Sequence, residues 1–189
     1  MKEKHSAEKV VATTAKASPD DRQYLDHLKK INDVFYDQIR IADQKAAYIF
    51  TFMIAFLISS AEGRQVFRLD RYQSGEPVAI VLSALVGIAV IVALVSAILV
   101  VLPRHVTSST SLYWGGWAAN RTAFMKARES GSADYLFDEY LTNVDTLAAI
   151  NRSKYRYVGM AFRGLMAMVV GYVLLLAWQT GTTATVLGR

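Results

Sequence analysis

The chain contains no cysteine among its 189 residues. This absence excludes disulfide bonds, thiolate metal sites and cysteine nucleophiles. Histidine is nearly as scarce, and His5, His27 and His105 are scattered without a convincing partner. The sequence also lacks zinc-ligand spacing, a phosphate-binding glycine loop and a dinucleotide-binding glycine fingerprint. We therefore predict that the chain is not an enzyme, with no catalytic residue, no metal site and no resident cofactor.

Charge is almost absent from three apolar stretches, which decide the class of protein. They are Ala46–Ala61, Pro77–Leu102 and Tyr157–Trp178, and Arg163 is the one charge that any of them contains. The middle stretch has 26 residues, or about 39 Å of helix, against a bilayer core of roughly 30 Å. Three transmembrane helices are therefore predicted. Residues 1–45 are hydrophilic, so we expect no cleavable signal peptide.

The lysines and arginines are distributed unevenly, which predicts orientation. Nine lie in residues 1–45, three in 62–76 and seven in 104–156. Loops rich in these residues stay in the cytoplasm. We predict a multi-pass protein of the bacterial inner membrane with its N-terminus in the cytoplasm. The net charge of +5 indicates contact with anionic lipid rather than with nucleic acid.

The hydrophilic segment before the first span has the pattern of a helix. Ser18-Pro19-Asp20-Asp21 is a strong helix start, and no glycine or proline follows before Ala61. Apolar residues then recur three and four apart, with Asn32 as the polar member. The members of this seam are Leu25, Leu28, Asn32, Phe35, Ile39 and Ala42. Two interpretations stay open: packing within the chain, or a subunit contact whose register Asn32 fixes.

Two more helices are predicted in the second loop, at about Ser111–Arg128 and from Ser132 onward, with Ser130-Gly131-Ser132 as the turn. The later helix carries Leu136, Tyr140, Val144 and Leu147 on one face and continues into the third span. The fold class is thus an all-α membrane protein with three transmembrane helices extended by a cytoplasmic helical bundle. The predicted segments are a disordered tail 1–18, a helix 19–61 containing the first span, a periplasmic loop 62–76, a second span 77–102, a cytoplasmic hairpin 103–156, a third span 157–178 and a periplasmic tail 179–189.

Small residues at spacings of about four predict close helix packing in the membrane. On the second span they form two stripes, which favour packing within the chain but leave a face for a neighbouring subunit. The stripes are Ala79, Ser83 and Gly87, then Ala89, Ala93 and Ala97, with Gly159, Ala167 and Gly171 on the third span.

Three charged residues near or within the spans are candidates for a functional role. Arg163 lies six residues into the third span, where it either reaches back to the interface or pairs with a carboxylate, for which Asp43 is the candidate. Lys45, at the start of the first span, is predicted to contact lipid phosphate. We predict that Asp43 and Arg163 form a latch that holds a resting arrangement.

Four ordered motifs resemble the transmembrane effectors of Pycsar, the pyrimidine cyclase antiphage systems. They are Ile41–Ala46 before the first span, Leu102-Pro103-Arg104 after the second, Leu112-Tyr113-Trp114-Gly115, and Lys154-Tyr155-Arg156. Their order and spacing match over about residues 22–178, with Trp114 where phenylalanine is expected. The resemblance implies that a partner nucleotide cyclase makes cCMP or cUMP. The effector then responds and impairs the inner membrane, which aborts the phage infection.

If this chain binds the cyclic nucleotide directly, its phosphate is expected to meet basic residues near the membrane, because such contacts are charge-assisted. The candidates are Arg40, Arg104, Arg121 and Lys154. The alternative role for each is contact with anionic lipid headgroups. The expected partners are therefore the lipid bilayer, the cyclase and further copies of the chain in a homo-oligomer. The alternative function is a constitutive membrane scaffold or a transporter subunit, although three spans give no inverted repeat.

Overall fold

A computed structural model describes residues 19–74, 76–103 and 110–187, and within these ranges the secondary structure is helical. The helices are α1 (Pro19–Ser59), α2 (Ala61–Gln65), α3 (Asp70–Ser74), α4 (Pro77–Val101), α5 (Trp117–Ser130) and α6 (Ala133–Leu187). Stretches of α1, α4 and α6 are each long and apolar enough to cross a membrane. The predicted all-α class with three spanning helices is confirmed. The tail 1–18 and Arg104 lie outside the described residues.

Local sequence explains where the helices start and end. Pro77 occupies the first position of α4, where the missing amide hydrogen costs nothing. Ser60 caps α2, because its hydroxyl accepts a hydrogen bond of 2.9 Å from the amide of Gly63. Gly131 ends α5 with a φ of 66°, a left-handed conformation that favours glycine. The turn at Ser130-Gly131-Ser132 is therefore found where the sequence places it.

Several helix boundaries differ from the predicted segments. The predicted loop 62–76 holds most of α2 and all of α3, and the first long helix ends at Ser59. Residues 111–116 form turns, so α5 begins at Trp117 rather than at Ser111. Two consecutive glycines, Gly115 and Gly116, lie just before it and disfavour an earlier start. At the other end of the chain, α6 continues without a break to Leu187, so most of the predicted tail 179–189 is helical.

The chain divides into two compact units. The first unit comprises Met1–Val34 and Val106–Thr146, and the second comprises Phe35–His105 and Leu147–Arg189. In the first unit Leu28, Asn32 and Val144 are buried. Asn143 donates its amide to the side-chain oxygen of Asn32 and accepts a hydrogen bond of 3.4 Å from Thr110. Asn32 thus has an intrachain partner, as in the first interpretation of the seam. Leu136, which the sequence places on the same apolar face as Val144, is 37% exposed.

In the second unit, one side of α4 buries most of its small residues together with Val86, Val90 and Val100, and the other side exposes a row of large apolar residues. Both predicted small-residue stripes face inward, since Ser83, Gly87, Ala89, Ala93 and Ala97 are buried. The exposed residues recur three or four apart and form an apolar outer face, with Val81, Leu85, Ile88, Ile91, Val95 and Ile98 each 47–59% exposed. Such a face suits hydrocarbon, as expected of a helix in a bilayer. The face that the stripes were predicted to leave for a neighbouring subunit is thus occupied by the chain itself.

Polar contacts close the second unit at the end of the spans where α2 and α3 lie. The hydroxyls of Ser60 and Tyr172 are 3.0 Å apart. Glu62 accepts hydrogen bonds from Arg71 at 3.2 Å and from Gln179 at 3.1 Å. These bonds tie the short helices to α6, so the loop between the first two spans is packed rather than free.

Candidate functional site

Lys154 is the centre of a buried polar contact in the second unit. Its side chain is 7% exposed, and its ammonium donates to the carboxylate of Asp43 and, at 2.8 Å, to the backbone carbonyl of Val100. One side chain on α6 therefore connects α1 with the last turn of α4. Asp43 is 37% exposed and remains partly hydrated. Burying an ammonium is costly unless it is paired and hydrogen-bonded, and both partners are present here.

This contact corrects the predicted latch between Asp43 and Arg163. The carboxylate of Asp43 meets Lys154, and Arg163 lies on the exposed surface of α6. The two basic residues are nine positions apart, which is two and a half helical turns. They therefore point to opposite faces of α6, and one of them alone can face Asp43. The same contact changes the expectation for Lys154, which is engaged inside the unit and not displayed to a ligand.

Arg163 lies close to the middle of the spans. Its neighbour Gly164 packs directly against the backbone of α4, where an added Cβ would come within 2.9 Å of the Ala93 nitrogen and 3.0 Å of the Ala89 oxygen. Ala89 and Ala93 occupy the central part of the 25-residue helix α4. Arg163 therefore shares that central depth but faces outward. A charge at the centre of a bilayer costs at least ~2.5 kcal/mol on insertion scales.

Gly164 was not among the small residues that the sequence singled out. The predicted stripe used Gly159, Ala167 and Gly171, of which Gly159 and Ala167 are exposed. Nothing lies within 4 Å of a Cβ added at Gly159. The apolar periodicity through Ala161 and Met168 marks the buried face on which Gly164 lies, and that signal was available in the sequence.

The remaining predicted residues are separated in the structure. Arg40 is exposed and forms a surface ion pair of 3.2 Å with Asp37. Lys45 lies 5.7 Å from the ring centre of Tyr155, in a cation–π contact. Arg121 is exposed on α5 and belongs to the first unit, while Arg40 and Lys154 belong to the second. The structure brings together Lys154 and Asp43 from the predicted set.

A cavity of about 300 Å³ lies in the first unit at the turn between α5 and α6. Its lining is Phe124, Ala127, Arg128, Gly131, Ser132, Ala133, Tyr135 and Leu136. The rings of Phe124 and Tyr135 meet edge to face at 6.5 Å. The Tyr135 hydroxyl is buried without a hydrogen-bond partner within the described part of the chain. The surface that this cavity exposes is almost wholly apolar, and its aromatic lining suits a flat ring.

A family model described as the Pycsar effector protein domain, PycTM, matches residues 27–181. The chain belongs to the Pycsar effector family. The resemblance carried by the four motifs is thereby confirmed. The match spans all three membrane helices and the α5–α6 turn. No curated protein and no solved structure matches the chain.

Membership gives this Pycsar effector its general role. It is a multi-pass inner-membrane protein of antiphage defence, the effector that works with a cyclase system rather than the cyclase itself. In the described ranges no group of histidine, cysteine or acidic residues is arranged to hold a metal ion. Three features of the described residues concern this Pycsar effector below: the Lys154 contact, the α5–α6 cavity and the exposed Arg163.

Proposed function

We propose that this effector responds to a cyclic pyrimidine nucleotide, cCMP or cUMP, supplied by its partner cyclase, and then impairs the inner membrane so that infection aborts. The observation that supports the proposal is the Pycsar effector match across residues 27–181. The apolar outer faces of the spans support a response within the bilayer. The working form is a homo-oligomer of the chain.

The α5–α6 cavity is our choice for the nucleotide site. Arg128 lines it and offers charge-assisted hydrogen bonds to a cyclic phosphate. Arg121 lies seven residues earlier, two turns away on the same side of α5, and so adds positive charge nearby. The rings of Phe124 and Tyr135, which line the cavity, would pack against the pyrimidine base.

Calorimetry on the detergent-solubilised chain tests this site. Wild type should bind cCMP or cUMP, and Arg128→Gln should weaken binding by about tenfold or more, because a charged hydrogen bond contributes ~1.5–3 kcal/mol. Lys126→Gln is the matched control, since Lys126 is exposed on α5 but does not line the cavity. Absence of heat at millimolar nucleotide with folded protein would rule out direct sensing.

We assign the latch to Asp43 and Lys154. Breaking a partly desolvated ion pair that joins three helices biases a two-state bundle toward its active arrangement. Asp43→Asn is therefore expected to be toxic in cells that lack the cyclase. Asp37→Asn, which removes an exposed ion pair six residues earlier on α1, should stay silent. If the Asp43→Asn variant inserts normally and is not toxic, the Asp43–Lys154 pair is not a latch.

Phage challenge tests the whole proposal. Cells expressing the effector together with its cyclase should lose membrane integrity after infection, before phage particles mature, as read by uptake of an impermeant dye. Cells with the effector alone should lyse at the normal time and release phage. Equal protection with and without the cyclase would favour a constitutive scaffold instead.

A further inference from the structure

Arg163 is a charged residue at mid-span in the second unit. It is exposed, it lies level with the central part of α4, and it is the one charged residue of the sequence between Tyr157 and Leu187. Within the described ranges it forms no salt bridge. Hydrocarbon at this depth does not stabilise a guanidinium, so the side chain must meet polar protein groups, water or, by extending along α6, the lipid headgroups.

An ion pair at that depth is excluded by the sequence. The segments 44–61, 77–102 and 157–187, which contain the three apolar stretches, have no aspartate or glutamate. The carboxylates that flank the first span, Asp43 and Glu62, lie at its opposite ends, where they bind Lys154 and Arg71. A second copy in the same orientation therefore brings no carboxylate to Arg163. Without a carboxylate counter-charge, a guanidinium that stays at this depth needs water to stabilise it.

We propose that Arg163 lines a water-filled cavity between copies of this chain, and that the cavity attracts small inorganic anions such as chloride. Water reaches the middle of a bilayer stably where protein walls exclude lipid, and neighbouring copies supply those walls. A ring of guanidinium groups then selects anions, as arginine rings do in anion pores. The inference rests on the proposed function, since anion flow through this cavity would be how the membrane is impaired.

Cysteine labelling tests the water, because the chain contains no native cysteine. Arg163→Cys in membrane vesicles, without any nucleotide, should react with a charged methanethiosulfonate reagent. The matched control is Phe162→Cys, since Phe162 is 54% exposed at the same depth but on a different side of α6. Labelling at 163 with protection at 162 supports the cavity, and equal protection of both positions overturns it.

The same variants test the neighbouring copy. Each chain then carries a single cysteine, so any covalent dimer joins two copies. Bifunctional thiol reagents of graded length should produce dimers from Arg163→Cys and not from Phe162→Cys. If reagents of every length fail to produce dimers of Arg163→Cys, the placement of the cavity between copies is overturned.

Ion flux tests the anion preference. The full chain reconstituted in liposomes with cCMP or cUMP should release chloride faster than potassium. Arg163→Glu should lower the chloride-to-potassium ratio by about tenfold or more, because the local charge is inverted. Arg163→Lys should keep the preference. An unchanged ratio in Arg163→Glu overturns the inference and assigns Arg163 to the lipid headgroups, which its flexible side chain would then reach.

The nucleotide response and the cavity at Arg163 can fail separately. Labelling at Arg163→Cys without any nucleotide-induced flux would keep the cavity and reject the nucleotide response. Nucleotide-induced flux with an unlabelled position 163 would keep the response and reject the cavity.

Discussion

At the residue scale, Lys154 and Asp43 share one ion pair but not one environment. The lysine side chain is 7% exposed, whereas the carboxylate is 37% exposed. Water therefore compensates a lone carboxylate far better than it compensates a lone ammonium. The backbone carbonyl of Val100 is a second partner of Lys154, but it carries no formal charge.

The difference in exposure predicts an asymmetric loss of stability. Asp43→Ala leaves a buried ammonium unpaired and should lower the free energy of unfolding by about 3–5 kcal/mol. Lys154→Met leaves a half-exposed carboxylate and an unbonded carbonyl, and should cost about 1–3 kcal/mol. Thermal unfolding in detergent measures both. Asp37→Ala is the exposed control and should cost at most about 1 kcal/mol. A larger loss for Lys154→Met than for Asp43→Ala would contradict this asymmetry.

At the scale of helices, α6 packs on α4 through Gly164, because any side chain there meets backbone atoms. The nearest atoms to an added Cβ are the Ala93 nitrogen and the Ala89 oxygen, which cannot move without moving α4. In the first unit, α6 meets α1 through the Asn32–Asn143 pair. A buried polar pair of this kind fixes the register of two helices.

Gly164→Ala should therefore destabilise the second unit by about 1–3 kcal/mol, the usual cost of overpacking. Gly159→Ala is the matched control on the same helix, since its added Cβ meets open space. That variant should be neutral or gain up to about 1 kcal/mol from helix propensity. Melting temperatures in one detergent compare them, and equal behaviour of the two variants would rule out close packing at Gly164.

The asparagine pair should behave as a coupled unit. Asn32→Ala leaves the buried Asn143 amide without its acceptor, at a cost of about 1–3 kcal/mol. Asn143→Ala should cost a similar amount, and the double variant less than the sum, with a coupling of about 0.5–3 kcal/mol. A double-mutant cycle by thermal unfolding measures this. Asp33→Ala, at an exposed neighbouring position, should change little, and strict additivity of the asparagine variants would show that the pair is not formed.

At the scale of the whole molecule, three spanning helices cross the membrane three times. Their number does not determine which side of the membrane each loop occupies. Direction follows from the basic residues, with nine in 1–45, three in 62–76 and seven in 104–156. A membrane protein keeps its lysine- and arginine-rich loops in the cytoplasm. The N-terminus and the α5–α6 turn are therefore predicted to lie inside, where a nucleotide from a cyclase is available.

Reporter fusions test this orientation. A fusion after Gly75 should read periplasmic and one after Gly131 cytoplasmic, because three basic residues lie in one loop and seven in the other. Alkaline phosphatase and a fluorescent protein at both positions provide reciprocal readouts. A periplasmic signal at Gly131 would contradict the three-span orientation.

The sequence by itself determined the number of spans, the polar helix before the first span and the turn at Ser130-Gly131-Ser132. These features depend on local composition, on periodicity and on the left-handed glycine that ends α5. The family resemblance also came from short ordered motifs, and the domain match over residues 27–181 confirms it.

The tertiary structure alone decided which charges meet and which face outward. Lys154 and Asp43 are 111 residues apart in the chain, so their contact depends on the rotation and offset of two helices and not on any local pattern. The prediction chose Arg163 because it lies inside the third span, but that residue is on the opposite face of α6. Periodicity defines the faces of one helix, whereas close contacts such as that of Gly164 with α4 decide which face a neighbouring helix meets.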